Sequence, residues 1–293
     1  MARPSLRLAE NREGAFFVDS SCIDCDTCRQ LAPGVFARST RHGQSYVAAQ
    51  PTAASEVLRA QMALVACPTA SIGCESKLGI AAAARSFPTP VDGEVYYCGF
   101  ASEASYGASS YLVRRSEGNV LVDSPRAAGP LLERITELGG VQLMFLTHRD
   151  DVADHRAFRD QFGCRRALHR DDSSADTADV EQLWSGREPQ ALAPGLSMIP
   201  VPGHTRGSAV LLYQQYLFTG DHLWWSNERE ELDASRSVCW YSWSHQVASM
   251  ERLLDYSFDW VLPGHGRRHH ADSPAAMRRA VENLVRRMKV AAP

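Results

Sequence analysis

Apolar and polar positions alternate along this chain in two different styles. From about residue 93 onward, short apolar runs with strand character trade places with segments of helical spacing. "SSYLVRR" and "NVLVDSP" read as neighbouring strands joined through the turn signal "SEGN". "AGPLLERITELGG" is an amphipathic helix closed by Gly139 and Gly140. "VQLMFLTH" reads as a buried strand, "ADHRAFRDQFG" as a helix and "RRALHRDD" as a short strand. "GLSMIPVPGH", "SAVLLYQ" and "YLFTGDH" are again strand-like, and the helix "HQVASMERLLDYS" leads into "FDWVLPGHGR". This alternation predicts a layered α+β domain with much antiparallel pairing.

The first seventy-odd residues are patterned differently. "RSTRHGQSYV" reads as a turn and strand, and "TAASEVLRAQMALVA" as a helix capped by Thr52 or Ser55. Residues 76–92 are small, proline-bearing and weakly patterned, as a linker would be. The expected organisation is therefore a small domain over 1–75, a linker over 76–92 and a larger domain over 93–293.

The bulk numbers narrow the partners. A formal net charge of −3 gives no reason to expect nucleic acid or an anionic membrane. No apolar run approaches the length of a bilayer span, and "MARPSLRLAENREGAFF" lacks the apolar core of a secretory signal. The expected location is cytoplasmic, a reducing compartment in which the eight cysteines need a role other than stapling. Cys74, Cys98, Cys164 and Cys239 are scattered and read as small buried hydrophobes.

The other four cysteines form a constellation. "FFVDSSCIDCDTCRQLAPGVF" holds Cys22, Cys25 and Cys28 in a C-x2-C-x2-C array, and Cys67 returns much later, followed at once by Pro68. A tight loop can supply three thiolates to an iron–sulfur cubane, and the fourth must come from elsewhere in the fold. The arrangement resembles the bacterial-type ferredoxins over about residues 14–75. A two-cluster ferredoxin would carry a further cysteine where Ala32 stands before Pro33, so the resemblance implies one [4Fe–4S] cluster. Zinc is the competing reading of C-x2-C spacing.

In the second stretch, ionisable groups gather at the ends of apolar runs. They are His148, Asp150, Asp154 and His155 in "THRDDVADH", His204 in "VPGHTRGS", Asp221 in "FTGDH" and His265 in "LPGHG". Histidine and carboxylate collected this way make a metal site, in which carboxylates suit harder metals and imidazole suits zinc or iron. Over about residues 93–275 these four motifs, in this order, resemble the metallo-β-lactamase superfamily. The resemblance implies an αββα sandwich preceded by the small ferredoxin-like α+β domain. It implies one metal on His148 and His204, a second on Asp154, His155 and His265, and Asp221 bridging both. Asp154, Asp221 and His265 are the candidate catalytic groups. His169, His222, His245, His269 and His270 match no motif and read as surface or packed residues.

One departure from the family pattern bears on chemistry. The usual first motif is HxHxDH, whereas this chain reads H-R-D-D-V-A-D-H. Asp150 stands where the second histidine would be, with Asp151 as competitor if the loop is reregistered. Asp150 could instead satisfy backbone N–H groups of its loop. A carboxylate there hardens the pocket and favours iron over zinc. Among relatives of this fold, flavodiiron proteins and certain diiron oxygenases carry a carboxylate at the corresponding place, as Glu with ordinary spacing.

Three functions follow from the combination. The first is an iron-dependent oxidoreductase, O2-activating in one version, fed by its own cluster from an external electron donor and acting on a small-molecule substrate. No G-x-G-x-x-G follows a strand, and no flavodoxin domain is evident, so electrons would come from outside the chain. The second is a hydrolase of esters, thioesters or lactones with one or two metal ions and a structural or sensing cluster. The third is a non-catalytic electron carrier or redox-responsive module. The aromatic segment holding Trp224, Trp225, Trp240, Tyr241 and Trp243 is expected near the metals, because it follows Asp221 directly.

Overall fold

A computed structural model of the chain describes residues 2–75 and 79–290. It divides into two compact units, one made of residues 1–142 and 153–163, the other of residues 143–152 and 164–293. The division falls inside the second expected domain. Of the expected linker, residues 76–78 lie outside the described residues, while Ala81–Arg85 form a helix and Thr89–Asp92 a strand.

In the first unit, Phe16–Val18 pairs antiparallel with Ile72–Cys74, and Phe36–Arg38 with Ser45–Val47. Phe16, Val18, Val35, Phe36, Val47, Ala60, Ala63 and Ile72 share a small core with Cys28 and Cys67. The helix Ala54–Ala66 has no side-chain cap at Thr52 or Ser55. Glu56 reaches back instead, its carboxylate accepting from the backbone N–H groups of Thr52 and Ala53 at 3.0 and 3.1 Å. An antiparallel sheet follows, Thr89–Asp92 beside Val95–Tyr97, then Tyr111–Val113, then Val120–Val122. The last pair is the expected hairpin. The helix His155–Phe162 ends at Gly163, whose φ of 65° suits a residue without a side chain.

The second unit places Leu143–Phe145, Arg165–His169 and Gln182–Trp184 in parallel. A six-stranded sheet runs in the order Gln190–Ala193, Leu196–Pro200, Ala209–Tyr213, Tyr216–Gly220, Trp260–Pro263, His269–His270. Its contacts are antiparallel except between Tyr216–Gly220 and Trp260–Pro263, which run parallel. That exception brings the ends of two strands, with Asp221 and His265, to the same edge.

A seventeen-residue helix, Pro274–Val290, was not expected from the sequence. Its signal is present in Met277, Val281, Leu284, Val285 and Met288, which recur at helical spacing and all pack into the core with Ile199, Val210, Leu217 and Val261. Among the described residues no helix is long and apolar enough to cross a membrane.

Leu284 is 1% exposed. Its replacement by Ala should lower the unfolding free energy by about 2–4 kcal/mol through lost burial and a residual cavity. The shift in the urea midpoint measures this, and an unchanged midpoint would contradict the packing described.

Candidate functional site

Thr147 and His148 leave the buried strand Leu143–Phe145, and the next residues turn sharply back. His148 is 1% exposed, and its Nδ1 lies 2.9 Å from the Thr147 hydroxyl, so Nε2 is the nitrogen left for a ligand. His204 follows Leu196–Pro200, and its Nδ1 is held by the backbone carbonyl of Val238. The two rings meet edge to face, 4.7 Å between centroids.

Carboxylates fill the space around the two Nε2 atoms. Asp150 Oδ2 is 3.9 Å from His148 Nε2 and 3.4 Å from His204 Nε2. Asp221 Oδ2 is 3.7 Å from each. A tetrahedral metal about 2.1 Å from each donor would set neighbouring donors about 3.4 Å apart, so these separations suit an ion. Asp151 Oδ2 lies 4.0 Å from His148 Nε2, and His265 Nδ1 is 2.7 Å from Asp221 Oδ1. The ligand atoms fall into two overlapping groups: His148, Asp150 and His204, and His148, Asp151 and Asp221. A Cβ on Gly264 would sit 2.7 Å from Asp151 Oδ2 and 3.0 Å from Asp221 Oδ1, so only glycine leaves that space to the carboxylates.

The donor set fits a metal on a further count. His148 Nε2 is buried and has no hydrogen-bond partner among the described residues. Such a nitrogen is costly unless an ion or a proton occupies it. Burial disfavours the proton, lowering the His148 pKa to about 4 with the neighbouring His204 adding to the effect, even though Asp221 and Asp150 pull the other way. Asp221 is buried too, yet the facing imidazoles of His265, His148 and His204 hold its carboxyl below the usual range. Asp150 is likewise lowered, chiefly by the His204 ring. A His148 imidazole that resists protonation beside the lowered Asp150 and Asp221 carboxyls is the state that a metal requires.

Asp172 joins the two ligand loops. Its carboxylate accepts from the Arg149 backbone N–H at 3.1 Å, the Thr205 hydroxyl at 2.5 Å and the Gly207 N–H at 2.7 Å. It is 1% exposed and touches neither group directly, so it acts by positioning the loops on either side. Nothing in "HRDD" distinguishes Asp172 from Asp171, and the sequence reading missed it.

Asp154 and His155, expected by resemblance beside Asp221, belong to neither ligand group. Asp154 accepts from the Ala127 backbone N–H at 2.8 Å, and His155 is the buried first residue of a helix, both in the other compact unit. Within the second unit it is Asp151 that stands next to Asp221. The remaining histidines are packed or structural. His169 Nε2 is 3.0 Å from the Gly186 carbonyl, His245 Nδ1 2.9 Å from the Ser242 hydroxyl, and His269 and His270 stack on Trp225 and Trp260. His222 is 1% exposed. Of the aromatic segment, Trp243 donates to the Met288 carbonyl at 3.3 Å, whereas Trp240 is 60% exposed with its ring 6.1 Å from that of His204.

The cysteine loop is built by other means. Asp24 and Asp26 take left-handed conformations, with φ of 61° and 66°, which curl the chain between successive cysteines. Arg29 ties both carboxylates down, at 2.7 and 2.5 Å. Burial pushes the Cys25 thiol up to about 11, and the thiol of Cys28 higher still. Thiols so buried favour a ligand that can replace the proton. The Ser71 N–H donates to Cys67 Sγ at 3.3 Å, the kind of bond that tunes a cluster.

Comparisons with known proteins now bear on this geometry. Residues 18–74 match the family described as the 4Fe-4S single cluster domain of Ferredoxin I. The crystal structure of the DIM-1 metallo-β-lactamase exposed to ceftazidime superposes with a TM-score of 0.50 at 16% identity, over 66% of this chain and 95% of that one. The chain joins a single-cluster ferredoxin domain to a metallo-β-lactamase fold. Curated relatives of this ferredoxin–lactamase-fold chain are more distant in length. Hydroxyacylglutathione hydrolase of Anaeromyxobacter dehalogenans (strain 2CP-C) is 34% identical over 172 residues, 55% of this chain and 62% of the relative. The uncharacterised protein YmaE of Bacillus subtilis (strain 168) is 29% identical over 128 residues, 41% of this chain and 46% of the relative. The chain thus spans between about half and three fifths of the length of these relatives.

The buried histidines set a pH dependence. His148 and His222 both have folded-state values below the ordinary 6.5, about 4 and about 3. Below pH 6.5 the unfolded chain takes up protons that the folded chain refuses, so stability falls as pH falls. Denaturation midpoints of the metal-free protein should decline steadily from pH 7 toward pH 4. A flat profile across that window would contradict the burial of these rings.

Proposed function

We propose that this chain is an iron-dependent oxidoreductase of the metallo-β-lactamase fold that receives electrons through its own ferredoxin domain. The observation that carries the reading is the donor set: each ligand group around His148 contains carboxylate, Asp150 in one and Asp151 with Asp221 in the other. Three carboxylates beside two imidazoles make a hard, anionic pocket that suits iron better than zinc. A hydrolytic metal needs no electron carrier, whereas a tethered cluster supplies electrons at high effective concentration. Iron held here would supply redox chemistry, O2 activation included, toward a small-molecule substrate. The chain's own residues then do the following. His148 and His204 present their Nε2 atoms, Asp221 Oδ2 lies 3.7 Å from each, and His265 hydrogen-bonds Asp221 through its other oxygen. Asp150, with its side chain 42% exposed, faces the open side where substrate would enter. The electron donor to the cluster is an external reductase or ferredoxin.

A second reading is favoured by the likeness to hydroxyacylglutathione hydrolase. In it the same residues hold zinc, a bound water is the nucleophile against an ester, thioester or lactone, and the cluster is structural or sensing.

Metal analysis of anaerobically purified protein separates the two. More than four irons per chain supports the oxidoreductase, and four irons with stoichiometric zinc overturns it. Asp150→His should shift the second site toward zinc and lower its iron content severalfold without changing cluster iron. Equal iron occupancy in Asp150→His and the parent would show that Asp150 does not select the metal.

A further inference from the structure

Within the first unit, a loop far along the chain lies against a cluster cysteine. Gly107 is buried with φ of 86°, and a Cβ placed on it would sit 2.5 Å from Cys25 Cβ, 3.1 Å from Cys25 Sγ and 3.2 Å from Pro68 Cγ. These are atoms of a ligand and of the residue after another ligand, and an iron core would pin both. They could not retreat as the end of a flexible side chain would. The backbone at Gly107 therefore approaches the cluster position as closely as a chain can, and only glycine permits it.

The approach is braced on both sides. The Gly107 N–H donates to the Ser102 carbonyl at 2.8 Å and the Ala108 N–H to Ser105 at 2.9 Å, so the loop is tied to itself. The Ala101 N–H donates to the Ala66 carbonyl at 3.2 Å, one residue before Cys67. Arg126 donates through Nη2 to the Val65 carbonyl at 2.9 Å, and its guanidinium lies 5.8 Å from the Phe100 ring centre. Ala101 and Phe100 are 0% and 4% exposed. The end of the helix Ala54–Ala66 and the loop after Val95–Tyr97 are thus fastened around the Cys25–Pro68 side.

We propose that the Ser102–Ala108 loop is a built-in docking contact that closes the Cys25 side of the cluster. It fixes the ferredoxin segment against the chain that continues into Tyr111–Val113, and it denies that side to solvent and to a diffusing electron donor. Such a donor approaches another side. Only the cluster enters this contact. Zinc in the second unit would leave the rates below unchanged, so the oxidoreductase reading can fail without it.

The test is cluster loss in air, followed by visible absorbance and by the EPR signal of the reduced cluster in the full-length protein. Gly107→Val wedges the loop away, and Arg126→Ala loosens it while leaving all four cysteines untouched. Gly163→Ala, at φ of 65° with nothing within 4 Å of the new Cβ, controls for backbone strain alone. Both loop variants should bleach about fivefold faster or more, as expected when a local closure is weakened, with an altered EPR line shape, while Gly163→Ala matches the parent. Bleaching of Arg126→Ala and Gly107→Val at the parent rate would overturn the docking contact.

Discussion

Everything at the metal centre depends on one electrostatic arrangement: a buried His148 imidazole that resists protonation, set against the lowered carboxyls of Asp150 and Asp221 at the ends of strands. Burial disfavours the proton on His148, and the hydrogen-bonded His265 ring holds the Asp221 carboxyl low even though it too is buried. Neither state is comfortable without a cation, because each leaves donor atoms aimed at one another across a space that no side chain fills. Gly264 keeps that space open, and Asp172 keeps the loops that frame it in register. The sheet contributes the rest, since parallel pairing of Tyr216–Gly220 with Trp260–Pro263 brings Asp221 and His265 to one edge.

Much of this was legible in the sequence for a simple reason. His148, His204, Asp221 and His265 each follow an apolar run long enough to be a strand, and strand ends are where a sheet can gather polar groups without breaking its core. The cysteine array was legible for a different one, because three thiols in a tight loop with a remote Cys67-Pro68 match the spacing by which a chain holds an iron–sulfur cluster. Asp154 and His155 were misplaced because motif order says nothing about loop length in space. Asp154 accepts from the Ala127 N–H at the start of the expected helix, and Asp151 is the residue grouped with Asp221. The helix Pro274–Val290 was passed over although its five buried apolar side chains recur at helical spacing. The Gly107 contact had no local signature at all. A glycine's importance there lies in atoms some eighty residues earlier.

The two inorganic sites are built on opposite logic. At the cluster, burial raises the Cys25 and Cys28 thiols, so their protons are hard to remove without iron to take their place. At the second site the Asp150 and Asp221 carboxyls are held below their ordinary range, so the pocket is anionic before a cation arrives. On the proposed reading, a chain that carries both uses the cluster to deliver electrons to a second metal.

A reductive titration of anaerobic protein tests that claim most directly. The account predicts more than one electron taken up per chain, the first appearing in the cluster spectrum and the remainder in a separate iron signal lost in a His148→Ala variant. Uptake of a single electron, all of it in the cluster, would contradict it.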